Sequence, residues 1–137
     1  MKADPVITKA KFRFMLIFFW VFAILSIVID AFNETYWMID ELLYKEPEVW
    51  EATLAVILFV GVIIIYVGLF LFKEWARKLY VYVYFPAFLL YLMPGMGWTY
   101  MSNYASMFYD LSLVLSALTL GILLVPSLYQ PLFKAKT

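Results

Sequence analysis

The sequence contains no cysteine and no histidine. Without thiols the chain cannot form a disulfide, ligate an iron–sulfur cluster or perform thiol redox chemistry. Without imidazole it cannot hold haem through histidine, build a histidine-rich zinc or copper site, or use a histidine-based triad or proton relay. We therefore expect no metal site, no cofactor and a protein that is not an enzyme.

Charge is also scarce. Only 15% of the residues are charged, against about a quarter in soluble domains, whereas 66% are hydrophobic and 21% aromatic. The charges lie in short segments between long apolar runs, which is the pattern of a chain surrounded by lipid. The formal net charge of zero gives no indication of a nucleic-acid partner. The sequence thus predicts an integral membrane protein in a lipid bilayer.

Four apolar runs cover residues 12–32, 50–72, 75–93 and 104–125. Each is close to the ~20 residues that cross a bilayer, and each must be helical because lipid cannot satisfy backbone groups. The first run is too long for a signal-peptide core, so we expect it to be retained. Pro86 should kink the third helix. The predicted fold is all-α, a single transmembrane domain over residues 1–137 that forms a four-helix bundle.

Basic residues predict the orientation. Nine of the ten lie at one end of the predicted spans, namely at the start of the first, around the turn between the second and third, or after the fourth, and only Lys45 lies at the other end. The positive-inside rule places those segments, and hence both termini, in the cytoplasm. The tight turn at 73–78 should join the second and third spans as an antiparallel hairpin. The segment 72–79 resembles the basic inner turns of many small bacterial membrane proteins, although such turns are common by topology alone. We expect the chain in the bacterial inner (plasma) membrane.

The two outer connections differ in charge. Residues 94–100 are uncharged, and their proline and glycine residues predict a turn. The longer connection, residues 33–49, is acidic, and its stretch 36–44 is suited to a short helix on the membrane surface. A solvated loop is the simpler interpretation, although the acidic side chains could attract a basic ligand or a divalent cation. These acids are Glu34, Asp40, Glu41, Glu46 and Glu48.

Asp110 is the principal candidate for a functional residue, because it lies about six residues inside the fourth run. An ionised carboxylate is costly there, so we expect it to face the bundle interior. It could be protonated and bonded to a hydroxyl or amide, or bind a cation or a basic group of another protein. A structural hydrogen-bond anchor is the simpler alternative. Other residues in this candidate polar set are Asn103 and Ser106 on the same face, Ser26, and Asp30, for which a solvated helix end is expected.

Small residues predict several packing faces. The Asp110 face of the fourth span includes Ala117 and Gly121, and the roughly opposite face carries Ser112, Ser116 and Thr119. Gly61 and Gly68 share a face of the second span, where close helix packing is expected. In the third span an aromatic stripe, made of Tyr80, Tyr84, Phe88 and Tyr91, is expected to pack rather than bind a ligand.

Two packing faces on one helix of a four-helix chain indicate either an additional neighbour or contacts that are all made within the chain. The favoured hypothesis is a non-enzymatic accessory subunit, immunity-type or regulatory protein that binds a membrane protein or a second copy of itself. The alternative is a small oligomeric transporter or channel with Asp110 on an ion or proton path. Small multidrug transporters carry an acid deep in their first span, whereas this chain has Asp30 at the end of that span. A lipid-modifying enzyme ranks last.

Overall fold

The computed structural model describes residues 4–93 and 100–133. Over these residues the chain forms seven helices and no strand. The predicted turn at 94–100 lies outside the described residues except for Tyr100, as do Lys2, Lys134 and Lys136. The elements are α1 (Lys9–Ala31), α2 (Glu34–Leu43), α3 (Val49–Phe70), α4 (Glu74–Tyr84), a 3₁₀ segment (Pro86–Leu92), α5 (Asn103–Leu124) and α6 (Pro126–Phe133).

Helices α1, α3 and α5 are each long and apolar enough to cross a membrane. They correspond to the first, second and fourth predicted runs within a few residues. The third run differs, because the α-helix ends at Tyr84 and the chain continues from Pro86 as a 3₁₀ helix. Proline lacks the N–H that the α-helical ladder needs, so the expected kink takes the form of a change in helix type.

The longest helix contact joins α1 and α5, which are antiparallel. The rings of Phe22 and Phe108 stack at 5.8 Å, and the Asp30 carboxylate at the end of α1 accepts a hydrogen bond from the backbone N–H of Ser102 at the start of α5. Ser26, one turn before Asp30, is also buried. Both aromatic and polar side chains therefore line the contact between the first and last long helices.

A tight turn joins α3 to α4 as a helical hairpin, as the basic segment at 73–78 predicts. The Lys73 N–H donates to the Gly68 carbonyl at 2.8 Å and the Phe72 N–H donates to the Leu69 carbonyl at 3.0 Å. This is the Schellman pattern, and it places Phe72 in the left-handed region with φ of 56°. That conformation costs a side-chain-bearing residue about 1–2 kcal/mol. The ring offsets this cost by packing 5.9 Å from Phe12 and 5.8 Å from Phe133.

Two arginines bind the carboxyl ends of neighbouring helices. Arg13 Nε on α1 donates to the Phe70 carbonyl of α3 at 3.1 Å, and Arg77 Nη1 on α4 donates to the Leu123 carbonyl of α5 at 3.1 Å. These carbonyls lack partners within their own helices and carry negative partial charge. We call this the basic end of the molecule; its described cations are Lys9, Lys11, Arg13, Lys73, Arg77 and Lys78.

The opposite end carries the acidic connection. The side chain of Asn33 caps α2 by accepting from the Thr35 N–H at 3.0 Å, and Trp37 Nε1 donates to the Ala31 carbonyl at 3.0 Å. The short helix predicted at 36–44 is thus present at 34–43. Helix α3 begins with a capping box in which Glu51 accepts from the Glu48 N–H at 2.9 Å.

Candidate functional site

One face of α5 is buried, and it carries Ser112, Ser116 and Thr119. Each hydroxyl donates to a carbonyl three or four residues earlier, at 2.6, 2.7 and 2.8 Å respectively. These side chains are therefore satisfied within their own helix, and their small size lets neighbouring helices approach. From α4, the Tyr80 hydroxyl donates to the Ser116 carbonyl at 2.7 Å.

The opposite face of α5 carries Asp110, and it is exposed at the surface of the chain. This corrects the expectation that Asp110 faces the bundle interior. Both faces carry small and polar residues, and the serine–threonine face is the one that α1 and α4 cover. Within residues 4–93 and 100–133, no group donates a hydrogen bond to the Asp110 carboxylate. Ser106 is half-buried on this face, while Asn103, Ala117 and Gly121 are exposed.

Asp30 is buried instead, with only 4% of its surface exposed. One carboxylate oxygen accepts from both the hydroxyl of Ser102, at 2.5 Å, and its backbone N–H, at 3.3 Å. The expectation of a solvated helix end is therefore wrong, because the start of α5 covers the end of α1. A carboxylate at a helix N-terminus satisfies free N–H groups and complements the helix dipole. Asp30 thus fixes the α1–α5 register, and nearby Ser26 bonds to the Ala23 carbonyl at 2.7 Å.

The two glycines of α3 differ in their surroundings. A Cβ atom added at Gly68 would lie 2.5 Å from the Ala76 Cβ and 2.7 Å from the Trp75 ring, which is closer than real atoms approach. A Cβ added at Gly61 would meet nothing within 4 Å, and the same holds for Gly121 on the exposed face of α5. Gly68 therefore allows the α3–α4 contact, whereas Gly61 and Gly121 leave open surface.

The acidic connection forms no compact ligand cluster. Glu34, Glu41, Glu46 and Glu48 are exposed and Asp40 is partly so. Among the described residues, no group of three or more acidic side chains is placed to hold a metal ion. The pKa of Tyr36 is raised above its usual value, mainly because the side chain is partly buried and also because of the negative charges of Asp40 and Asp30.

The aromatic stripe of the third run lines a cavity of about 390 Å³ that is open on one side. Its walls include Tyr80, Tyr84, Phe88 and Tyr91, with Tyr66 of α3 and Ser116 of α5 facing them. The rings of Tyr66 and Tyr80 lie 5.9 Å apart, and those of Tyr80 and Tyr84 5.7 Å apart. The helical spacing of these aromatic residues predicts that they share one face of the third run. The presence of Tyr66 in the cavity wall could not be predicted in this way, because it depends on how α3 packs against α4.

Sequence reasoning used Arg77 only to predict orientation and missed its role in joining three elements. Its Nε donates to both Glu74 carboxylate oxygens at 2.9 Å, and its guanidinium carbon lies 4.0 Å from the centre of the Tyr129 ring of α6. With its bond to the Leu123 carbonyl, this one side chain connects α4, α5 and α6. At the start of α4, the hydrogen bond from Arg77 lowers the pKa of the Glu74 carboxyl.

No protein-family model, curated protein or solved structure matches this chain.

Proposed function

We propose that the chain crosses a membrane four times and acts, without catalysis of its own, by binding another membrane protein through the exposed face of α5. It would be an accessory subunit, or an immunity-type or regulatory protein. The observation that carries the proposal is the Asp110 carboxylate, which lies on the open side of a helix long and apolar enough to span the bilayer.

The helix lengths support four crossings. Three helices have sufficient length on their own. The 11 residues of α4 and the 7 residues of the 3₁₀ segment add up to about 30 Å at the rise of each helix type, which is the thickness of the hydrocarbon core. All described basic residues except Lys45 lie at the basic end. The positive-inside rule assigns that end to the cytoplasm, with both termini, and we assign the membrane to the bacterial inner membrane.

The cost of exposing Asp110 to lipid favours a partner. By helical rise, Asp110 lies about 10 Å from the start of α5, inside the hydrocarbon region of a spanning helix. A charged side chain at the centre of a membrane helix costs about 2.5–3.5 kcal/mol on insertion scales. A donor from a neighbouring helix would remove much of that cost, since it would pair with the carboxylate away from lipid. Two turns further on, Ala117 and Gly121 are four residues apart, a spacing that lets helices approach closely.

We assign the partner as a transmembrane helix that presents a basic, amide or hydroxyl side chain at the depth of Asp110. The test places a photoreactive side chain at Ala117 and, as the control, at Val56, which is 63% exposed on α3. We expect one protein to crosslink at 117 and none at 56 in native membranes. Asp110→Leu and Gly121→Leu should each reduce this crosslink about tenfold, which corresponds to a loss of about 1.4 kcal/mol.

Crosslinks to lipid alone at 117, or a crosslink unaffected by both substitutions, would refute the proposal. If the captured protein is a second copy of this chain, the small oligomeric transporter or channel becomes the better candidate. Asp110 lies on the outside of the chain, so an ion or proton path using it must lie between copies. Proton or cation flux into liposomes should then depend on Asp110, and Asp110→Asn should abolish it.

A further inference from the structure

A groove of about 370 Å³ runs between α1 and α3, on the other side of Tyr66 from the aromatic cavity. It begins at Phe70 and Leu71 near the basic end and reaches Ile24 and Ile63. Its lining is almost wholly apolar. A surface of this kind offers an extended hydrocarbon chain more contact than a smooth helix surface does.

A cation lies at the beginning of this groove. On α1 the lining residues Ile17 and Val21 follow Arg13 by four and eight residues, so all three share one face of the helix. The guanidinium is held in place by the bond from Nε to the Phe70 carbonyl at 3.1 Å. Its carbon atom also lies 4.8 Å from the centre of the Phe70 ring.

The rest of the Arg13 guanidinium is available to a ligand. The side chain is exposed, and its two terminal amino groups make no hydrogen bond or ion pair within the described part of the chain. Lys9, one turn earlier, places its Nζ 5.0 Å from the centre of the Phe72 ring, and Lys73 is exposed directly after Phe72. The nearest acid along this turn, Glu74, is already bonded to Arg77. The mouth of the groove is therefore positively charged.

We infer that this groove binds an anionic phospholipid of the cytoplasmic leaflet, with one acyl chain between α1 and α3 and the phosphate at Arg13. The guanidinium matches a phosphate through paired N–H donors, and the cytoplasmic leaflet supplies anionic lipids. This inference rests on the proposed orientation but not on the proposed partner. An anionic phospholipid uses both features of this site. A free phosphate would contact only the cation, and an uncharged hydrocarbon chain would occupy only the apolar groove.

The test is native mass spectrometry of the full chain in neutral detergent, with phosphatidylglycerol and phosphatidylcholine of identical acyl chains. We expect the wild type to retain phosphatidylglycerol at least tenfold more strongly. Arg13→Gln should reduce this preference about tenfold, by about 1.4 kcal/mol, and Lys45→Gln, at the opposite end, should leave it unchanged. Equal retention of both lipids by the wild type would overturn the inference.

A second pair of variants tests the groove without altering the charge. Val21 and Val28 are both on α1 and both 41% exposed, but only Val21 lines the groove. Val21→Trp should fill it and reduce phosphatidylglycerol retention at least fivefold, whereas Val28→Trp should not. Equal effects of the two substitutions would refute the acyl-chain site even if Arg13→Gln failed to fold. Asp110→Asn should leave lipid retention unchanged, which separates this result from that of the partner experiment.

Discussion

Replacing Gly68 with alanine tests the close approach of α3 and α4. The new Cβ would lie 2.5 Å from the Cβ of Ala76, which is itself fully buried. That methyl group is fixed to the α4 backbone, so it cannot rotate away, and the two arms of the hairpin must separate. Trp75 would also be contacted, at 2.7 Å, but its ring is a side chain that can move.

The expected magnitude follows from two opposing terms. Overpacking a well-filled contact costs about 1–3 kcal/mol, and replacing glycine by alanine inside a helix gains up to about 1 kcal/mol. We therefore expect Gly68→Ala to lower the free energy of unfolding by up to about 2 kcal/mol. Gly61→Ala, in the same helix with nothing within 4 Å, keeps only the favourable term. The difference between the two variants isolates the overlap.

The assay is reversible unfolding in mixed micelles, titrated with sodium dodecyl sulfate and followed by circular dichroism. Gly68→Ala should unfold at a lower fraction of the denaturing detergent than the wild type, and Gly61→Ala at an equal or higher one. Adding Ala76→Gly to Gly68→Ala removes the overlapping methyl group, so the two substitutions should be coupled. Identical unfolding of Gly68→Ala and Gly61→Ala would show that the hairpin arms are not this close.

Three further predictions use the same assay. Arg77→Lys keeps the charge but loses the paired bonds to Glu74 and the bond to the Leu123 carbonyl, so stability should fall by about 1–3 kcal/mol; an unchanged midpoint would contradict this. Arg77 lowers the pKa of the Glu74 carboxyl below its usual 4.5. Their pair therefore stabilises the fold fully above that value and is lost as the pH falls through the lowered pKa, so Glu74→Gln should differ from the wild type at about pH 7, and the difference should shrink as the pH is lowered through that range. Asp30→Asn keeps an acceptor for Ser102 and should be milder than Asp30→Leu, which leaves those donors unpaired at a cost of about 1–3 kcal/mol.

The apolar runs predict the long helices well, because lipid requires a minimum length and a helical backbone. The sequence predicts less well the segments whose helix type or start depends on individual hydrogen bonds. Pro86 predicts a kink in the third run. It does not predict that the following segment is a 3₁₀ helix, because the helix type depends on which backbone carbonyls accept hydrogen bonds after the proline. Likewise, the sequence predicts a short helix at 36–44, whereas the cap formed by Asn33 starts this helix two residues earlier, at Glu34.

The orientation of side chains is harder to predict from sequence. Helical periodicity identifies both polar faces of α5, but which face is covered depends on α1, whose matching residues lie far away in the chain. For this reason Asp110 is predicted inside and lies outside, while Asp30 is predicted in water and lies under Ser102. Similarly, Gly61 and Gly68 have the same periodicity, and only Gly68 lies near enough to the turn to meet α4.

The contact between α1 and α5 has a consequence for biogenesis. Ribosomes synthesise α1 before α5, so the face of α1 that carries Ser26 and Asp30 stays uncovered until α5 has been made. The α3–α4 hairpin, by contrast, is local in sequence and can form as soon as it enters the bilayer. In the proposed membrane topology, nascent α1 therefore has to wait in lipid, or beside the insertion machinery, with a carboxylate that the start of α5 caps in the folded chain.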